Sequence, residues 1–181
     1  MKTKIFLLNV IALLCSESVC AQNYKPVDNA SEVKFTAENL GIDLDAFVRG
    51  LKGTIIFNPS NLNEAVFNVS VDATSIHSET ELLATHLKNK KEYFYISKYP
   101  TISFVSTTIR ANSKNESGFI VTGLLTIKDV TKSISFPFTT GIQNNGLVFS
   151  ANFKINRKDF NLGGGFTVSE IVDVSLKVLA Q

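Results

Sequence analysis

His77 and His86 are the residues in this 181-residue chain with the widest chemical range, and they stand nine positions apart with no further histidine in the sequence. Zinc and copper sites draw on three or four convergent nitrogen, sulfur or oxygen ligands, so this spacing predicts no metal site. His86 falls on the apolar side of a helical pattern and reads as a packing residue. Serines are plentiful, but there is no Gly-x-Ser-x-Gly elbow and no readable set of serine, histidine and acid, which removes the main signature of a nucleophilic hydrolase. Gly163-Gly164-Gly165 lacks the Gly-Lys-Ser/Thr ending of a phosphate loop and has no helix after it, so it reads as a turn. Lys88, Lys90 and Lys91 gather where a helix ends. A solvated helix terminus is the plainer reading of them, and a docking point for an anionic head group is the other. The sequence therefore predicts no catalytic residue, no cofactor and no enzyme activity.

Composition narrows the classes further. Met1 to Lys4 is basic, Ile5 to Leu14 is almost wholly apolar, and Val19-Cys20-Ala21 ends in the small residues that a signal peptidase accepts. Residues 1–21 are expected to be a cleaved signal peptide and 22–181 a single domain, exported to the periplasm or secreted. Both cysteines, Cys15 and Cys20, belong to the signal, so no disulfide is expected in the mature domain. Its net charge of about +1 argues against nucleic acid, which is bound through clustered cations. No apolar run after residue 22 approaches the roughly 18 residues of a membrane span.

The rest of the chain alternates. Val33, Phe35 and Ala37 share one parity, as do Ala65, Phe67, Val69 and Val71, and Phe119, Val121, Leu125 and Ile127. Ile134, Phe136 and Phe138 follow, then Leu147, Phe149, Ala151, Phe153 and Ile155, and finally Val172, Val174, Leu176 and Val178. A period of two puts each set on one face of a strand. Turn residues separate the runs at Asn58 to Asn61, Asn112 to Gly118, Lys128-Asp129, Asn144 to Gly146 and Gly163 to Gly165, with Asn145-Gly146 as a hairpin signal. The segments fall near 31–40, 44–58, 64–73, 100–110, 117–128, 131–141, 146–157 and 168–180. Eight such strands suit a closed antiparallel barrel. One stretch, Glu79 to Lys91, has helical spacing at Leu82, Leu83, His86 and Leu87, with Ser78 as the expected N-cap and Glu81 completing a capping box. The expected fold is all-β: an eight-stranded, lipocalin-like barrel with one helix between the third and fourth strands.

An eight-stranded barrel either fills with its own side chains or holds one small ligand. The inward parity is apolar and rich in phenylalanine, and several segments exceed the usual strand length of about 5 to 6 residues, which makes the barrel tall. The expected lining is Phe35, Phe67, Val69, Ile102, Phe104, Phe119, Val121, Leu125, Ile134, Phe136, Phe138, Phe149, Phe153, Val174 and Leu176. Lys88, Lys91 and Arg157 are the candidate head-group contacts. From alternation alone, a pocket for a long apolar chain and a solid core stay equally open.

Short motifs spread over the chain resemble the YceI-like family of exported, lipocalin-like polyisoprenoid-binding proteins. They run from Tyr24, Asp28, Ser31, Val33 and Phe35 through Asn39-Leu40-Gly41, Gly53 to Pro59, Ser75-Ile76 and His86-Leu87. They continue with Lys98 to Phe104, Gly123 to Ile127, Val130-Thr131-Lys132 and Asn156 to Phe160. Ala84-Thr85 stands where the family usually has Arg-Asp, and Asp129 and Ala46 stand at common glycine positions. The resemblance implies a barrel whose tunnel takes an isoprenoid quinone, a polyprenyl phosphate or a similar fatty amphiphile, with no catalytic residues. The expected function is a non-enzymatic carrier or sequestering protein. A lipid-free structural barrel and a lipid-modifying enzyme are the alternatives, and a homodimer is left open.

Overall fold

The computed structural model describes residues 22–113, 118–163 and 167–181. Residues 1–21, and with them the expected signal, lie outside that range, as do Gly164 and Gly165 of the expected glycine turn. The described residues form nine strands: β1 Asn23–Tyr24, β2 Glu32–Asn39, β3 Ile42–Ile56, β4 Val66–Ser78, β5 Thr101–Ala111, β6 Gly118–Ile127, β7 Val130–Gln143, β8 Gly146–Asn156 and β9 Val168–Ala180. One α-helix is found among the described residues, α1, which spans Glu81–Asn89 between β4 and β5. Among the described residues no helix is long and apolar enough to cross a membrane.

Strands β2 to β9 close into an eight-stranded antiparallel barrel in the order β3-β2-β9-β8-β7-β6-β5-β4, with β4 returning to β3. The two-residue β1 adds to the outer end of β3 through Asn23↔Ile56 and Tyr24↔Ile55. The alternation is obeyed: Val121 and Phe138 are buried, whereas Lys132 and Pro137 between or beside such positions are exposed. Closure satisfies backbone groups that an open sheet would leave at its edges.

Turns follow local chemistry. Leu40 and Gly41 link β2 to β3 with φ of 53° and 78°, and Asn144 and Asn145 link β7 to β8 with φ of 50° and 60°. Two left-handed residues in a row give the twist that a tight hairpin needs. The β7–β8 turn is thus Asn144-Asn145, one residue earlier than the Asn145-Gly146 signal suggested. Gly146 is instead the first residue of β8, where a Cβ would come within 2.5 Å of the Ala180 carbonyl oxygen. At Gly53, with φ of 134°, a Cβ would meet the Asn68 carbonyl oxygen at 2.1 Å, so β3 and β4 cross there with no room for a side chain.

The helix differs from expectation at its start. β4 continues to Ser78, whose hydroxyl donates to the Asp45 carbonyl at 2.7 Å and is therefore held by the sheet. Thr80 is the N-cap, and its Oγ1 accepts from the Leu83 N–H at 3.3 Å.

Candidate functional site

The antiparallel order sends the 39–42, 78–101, 127–130 and 156–168 connections to one end of the barrel and the 56–66, 111–118 and 143–146 connections to the other. The second end is packed shut. Phe57, just past β3 and 1% exposed, sits among Phe119, Phe138, Phe149 and Phe67 with ring centroids 5.1, 5.8, 5.4 and 6.1 Å away. Three of these contacts are edge-on, the arrangement that aromatic quadrupoles favour. Phe57 was not on the expected lining; its shared parity with Ile55, carried one step beyond the strand, is the signal that places it inside.

The first end is hollow below and covered above. A cavity of about 280 Å³ occupies this half of the barrel. Its wall takes Phe35 from β2, Phe67 and Val69 from β4, Ile102 and Phe104 from β5, and Leu125 from β6. Ile134, Phe136 and Phe138 from β7, Phe149 and Phe153 from β8, and Val174 and Leu176 from β9 complete the expected set. Phe119 and Val121, also expected on the wall, lie outside it: Val121 is fully buried, and Phe119 stacks on Phe138 at 5.3 Å within the shut end. Alternation reports the face of a strand and carries no information on height along the barrel, which sets Phe119 apart; Val121, in register with the wall residue Phe136, is covered by its neighbours.

The cover is Leu83 and Leu87 of α1 with Tyr93 and Phe94 of the segment after it, all of which line the cavity. Backbone bonds hold this segment to the helix, from the Phe94 N–H to the Leu87 carbonyl at 3.1 Å and from the Ile96 N–H to the Lys88 carbonyl at 2.9 Å. Phe94 reaches across to Phe35, 5.6 Å between ring centroids. The helix therefore presents an apolar stripe inward and leaves Leu82 68% exposed outside.

Of the three candidate head-group cations, only Arg157 borders the cavity. It is 5% exposed, and its guanidinium donates to the carbonyl oxygens of Ser169 at 2.8 Å, Leu162 at 2.9 Å and Val168 at 3.0 Å. This planar fork ties Arg157 and Leu162 to the start of β9. Lys88 and Lys91 are not on the wall; the Lys91 carbonyl accepts from the Lys128 ammonium at 2.9 Å.

The titratable groups with shifted ionisation lie on the outer surface. The Asp45 carboxyl is held below its ordinary value by the Lys34 ammonium and by the Thr36 hydroxyl, at 2.7 and 2.6 Å. The Asp129 carboxyl is lowered chiefly by the Tyr99 hydroxyl, which donates to it at 2.9 Å. His77 stacks on Phe47 outside the barrel, 5.3 Å apart. Among the described residues no three His, Cys, Asp or Glu side chains converge as metal ligands.

Comparison with known proteins gives a consistent likeness. The YceI-like domain model matches residues 24–180. A UPF0312 protein from Photorhabdus laumondii is 30% identical over 172 residues, covering 88% of this chain and 86% of its own. A Yersinia enterocolitica UPF0312 protein is 28% identical over 155 residues, covering 80% and 78%. In structure, the chain is similar to BcnA of Burkholderia cenocepacia, with a TM-score of 0.77 at 21% identity, covering 83% of this chain and 96% of that one. It is also similar to a polyisoprenoid-binding domain from Saccharophagus degradans implicated in plant cell wall breakdown, with a TM-score of 0.69 at 13% identity over 87% and 97%.

Proposed function

Because the chain belongs to the YceI-like family, we propose that it is an exported, non-enzymatic binding protein that carries or sequesters one long-chain isoprenoid or similar amphiphilic lipid. The observation that carries this reading is the cavity: a barrel shut by phenylalanines at one end keeps an apolar space of about 280 Å³ under α1 at the other. A barrel evolved as a solid core would fill that space, since interiors pack to the density of organic crystals. The likeness to a polyisoprenoid-binding domain supports an isoprenoid over other apolar ligands.

The driving force is burial of the tail. Each enclosed methylene contributes about 0.8 kcal/mol before ordering costs. A volume of about 280 Å³ stands at the lower edge of ligand pockets, roughly 300–1,000 Å³, so a chain of many isoprene units fills the space and continues beyond it. Arg157 is the proposed head-group neighbour, with guanidinium N–H groups beyond the three donated to carbonyls. Export to the periplasm or beyond is part of the proposal and rests on the character of residues 1–21.

Titration of delipidated protein with a conjugated-polyene fatty acid tests the reading. One probe per chain is expected, displaced by a prenol of similar length; absence of saturable binding would refute it.

A further inference from the structure

The barrel wall is not sealed evenly. β7 and β8 pair only from Gln143↔Gly146 to Thr139↔Ser150. Beyond that point β7 runs on from Phe138 back to Val130 and β8 from Ala151 to Asn156, with no ladder pair between them. Both strands keep their other partners throughout: β6–β7 pairs from Gly118↔Thr139 to Ile127↔Val130, and β8–β9 from Leu147↔Ala180 to Asn156↔Ile171. The break lies on the half of the barrel that holds the cavity; elsewhere the wall is interrupted by register shifts in the β2–β9, β3–β4 and β5–β6 ladders and by a β4–β5 ladder that runs only from Asn68↔Val105 to Asp72↔Thr101.

Pro137 lies where the seam begins. It pairs with Ile120 without disturbing the β6–β7 register, and it has no N–H to offer β8, which confines proline to strand edges and interruptions. The seam also has openings on both faces. Phe138, Ser150 and Ala151 border the inner cavity and also an outer hollow of about 230 Å³ beside the exposed Pro137, Thr139 and Asn152. In place of backbone bonds, two rings span the gap: Phe136 of β7 and Phe153 of β8 stack with centroids 4.0 Å apart.

We propose that the β7–β8 seam is a lateral portal through which the lipid chain enters and leaves the barrel, with the Phe136–Phe153 pair as its inner leaf. The proposal rests on the lipid-binding reading above. Parting two stacked rings breaks no hydrogen bond, whereas lifting the cover means breaking the bonds that tie it to the barrel end, from the Gly163 N–H to the Glu92 carbonyl and from the Lys128 ammonium to the Lys91 carbonyl.

The test locks each route in turn, in a background with Cys15 and Cys20 replaced by serine. Ser135→Cys with Lys154→Cys, which continue the register of Thr139 and Ser150, are joined by a bis-maleimide to close the seam. Glu92→Cys with Gly163→Cys form a disulfide to pin the cover; a Cβ at Gly163 would lie 2.7 Å from that of Glu92, close enough for a bridge after a small shift. Loading of a conjugated-polyene fatty acid is followed by fluorescence, each double variant serving unlinked as its own folding control. Closing the seam is expected to slow loading and release by about ten-fold or more at unchanged stoichiometry, as gating predicts, with the pinned cover leaving rates within about two-fold. An unchanged rate with the seam closed, or slowing only with the cover pinned, overturns the portal and leaves the lipid-binding reading standing. Failure of the unlinked proteins to bind the probe at all overturns that reading, and the portal with it.

Discussion

Phe136 and Phe153 lie ring over ring, 4.0 Å between centroids and 10° between planes, on two neighbouring strands that share no backbone ladder at that height. The pair thus closes the cavity wall by dispersion where hydrogen bonds are missing. Replacing Phe136, 8% exposed, with aspartate puts a charge in that wall. Such a charge is costly without a partner, so lipid co-purification should be lost. A still-folded Phe136→Asp or Phe104→Asp variant with unchanged lipid content would count against the assigned lining.

Gly123 of β6 faces Phe104 of β5. A Cβ there would stand 2.5 Å from the Phe104 Cζ and 2.6 Å from the Val105 carbonyl oxygen. The ring can swing into the cavity, but the carbonyl belongs to the ladder and cannot yield. Gly123→Ala is expected to destabilise the fold by about 1–3 kcal/mol, the usual range for overpacking, and to reduce lipid capacity because Phe104 turns inward. Denaturant melts and probe stoichiometry measure the two effects separately.

Arg157 joins three carbonyls that would otherwise have no donor from it. Arg157→Met keeps much of the stem and removes all three bonds, and a loss of about 2–5 kcal/mol is expected from bonds to a charged donor. Arg157→Lys should recover only part of this, since an ammonium cannot reproduce the planar fork. Equal stability of Lys and Arg at this position, by thermal melting, would refute the bracing role.

Much of this architecture was legible in the sequence because strand alternation writes the inward face directly. Phe35, Phe104, Phe136 and Phe153 were assigned by parity, and they line the cavity. Parity says nothing of axial height, so it could not separate Phe119 in the shut end from Phe104 and Leu125 on the cavity wall. Nor does it say which edges are bonded: the residues flanking the seam alternate like any others, and only Pro137 hints at the break. The helix start was misplaced by two residues because Ser78 and Thr80 are both good caps, and the longer reach of β4 decided for Thr80. Arg157 gave no direction in sequence, since its partners are the backbone carbonyls of Leu162, Val168 and Ser169, and backbone groups leave no mark in composition.

Asp45 gives the surface a pH signature. Its folded carboxyl titrates below the ordinary value because of the Lys34 ammonium and the Thr36 hydroxyl. The associated stability is fully present above the unfolded carboxylate value near 4 and is lost as pH falls through the lower, folded value. Lys34, raised mainly by its hydrogen bond to Asp45, keeps its share until pH climbs past the ordinary lysine range. The difference in melting temperature between wild type and Asp45→Asn should hold steady from pH 8 to about 5 and close toward zero in stronger acid. A constant difference down to the lowest pH would contradict the assignment.

Ligand length gives a graded test of tail burial. Across a series of straight-chain fatty acids, affinity should rise by up to about four-fold per methylene, the equivalent of about 0.8 kcal/mol, and flatten once the cavity is full. Affinity that depends on the head group and not on length would place recognition outside the apolar wall.

The most direct measurement is mass analysis of the lipid that accompanies the protein when it is purified without detergent from its native compartment. An adduct of one apolar lipid per chain is expected in the native spectrum, with an organic extract whose species differ by whole isoprene units. A native spectrum of the bare chain, with no lipid in the extract, would contradict the proposed lipid binding.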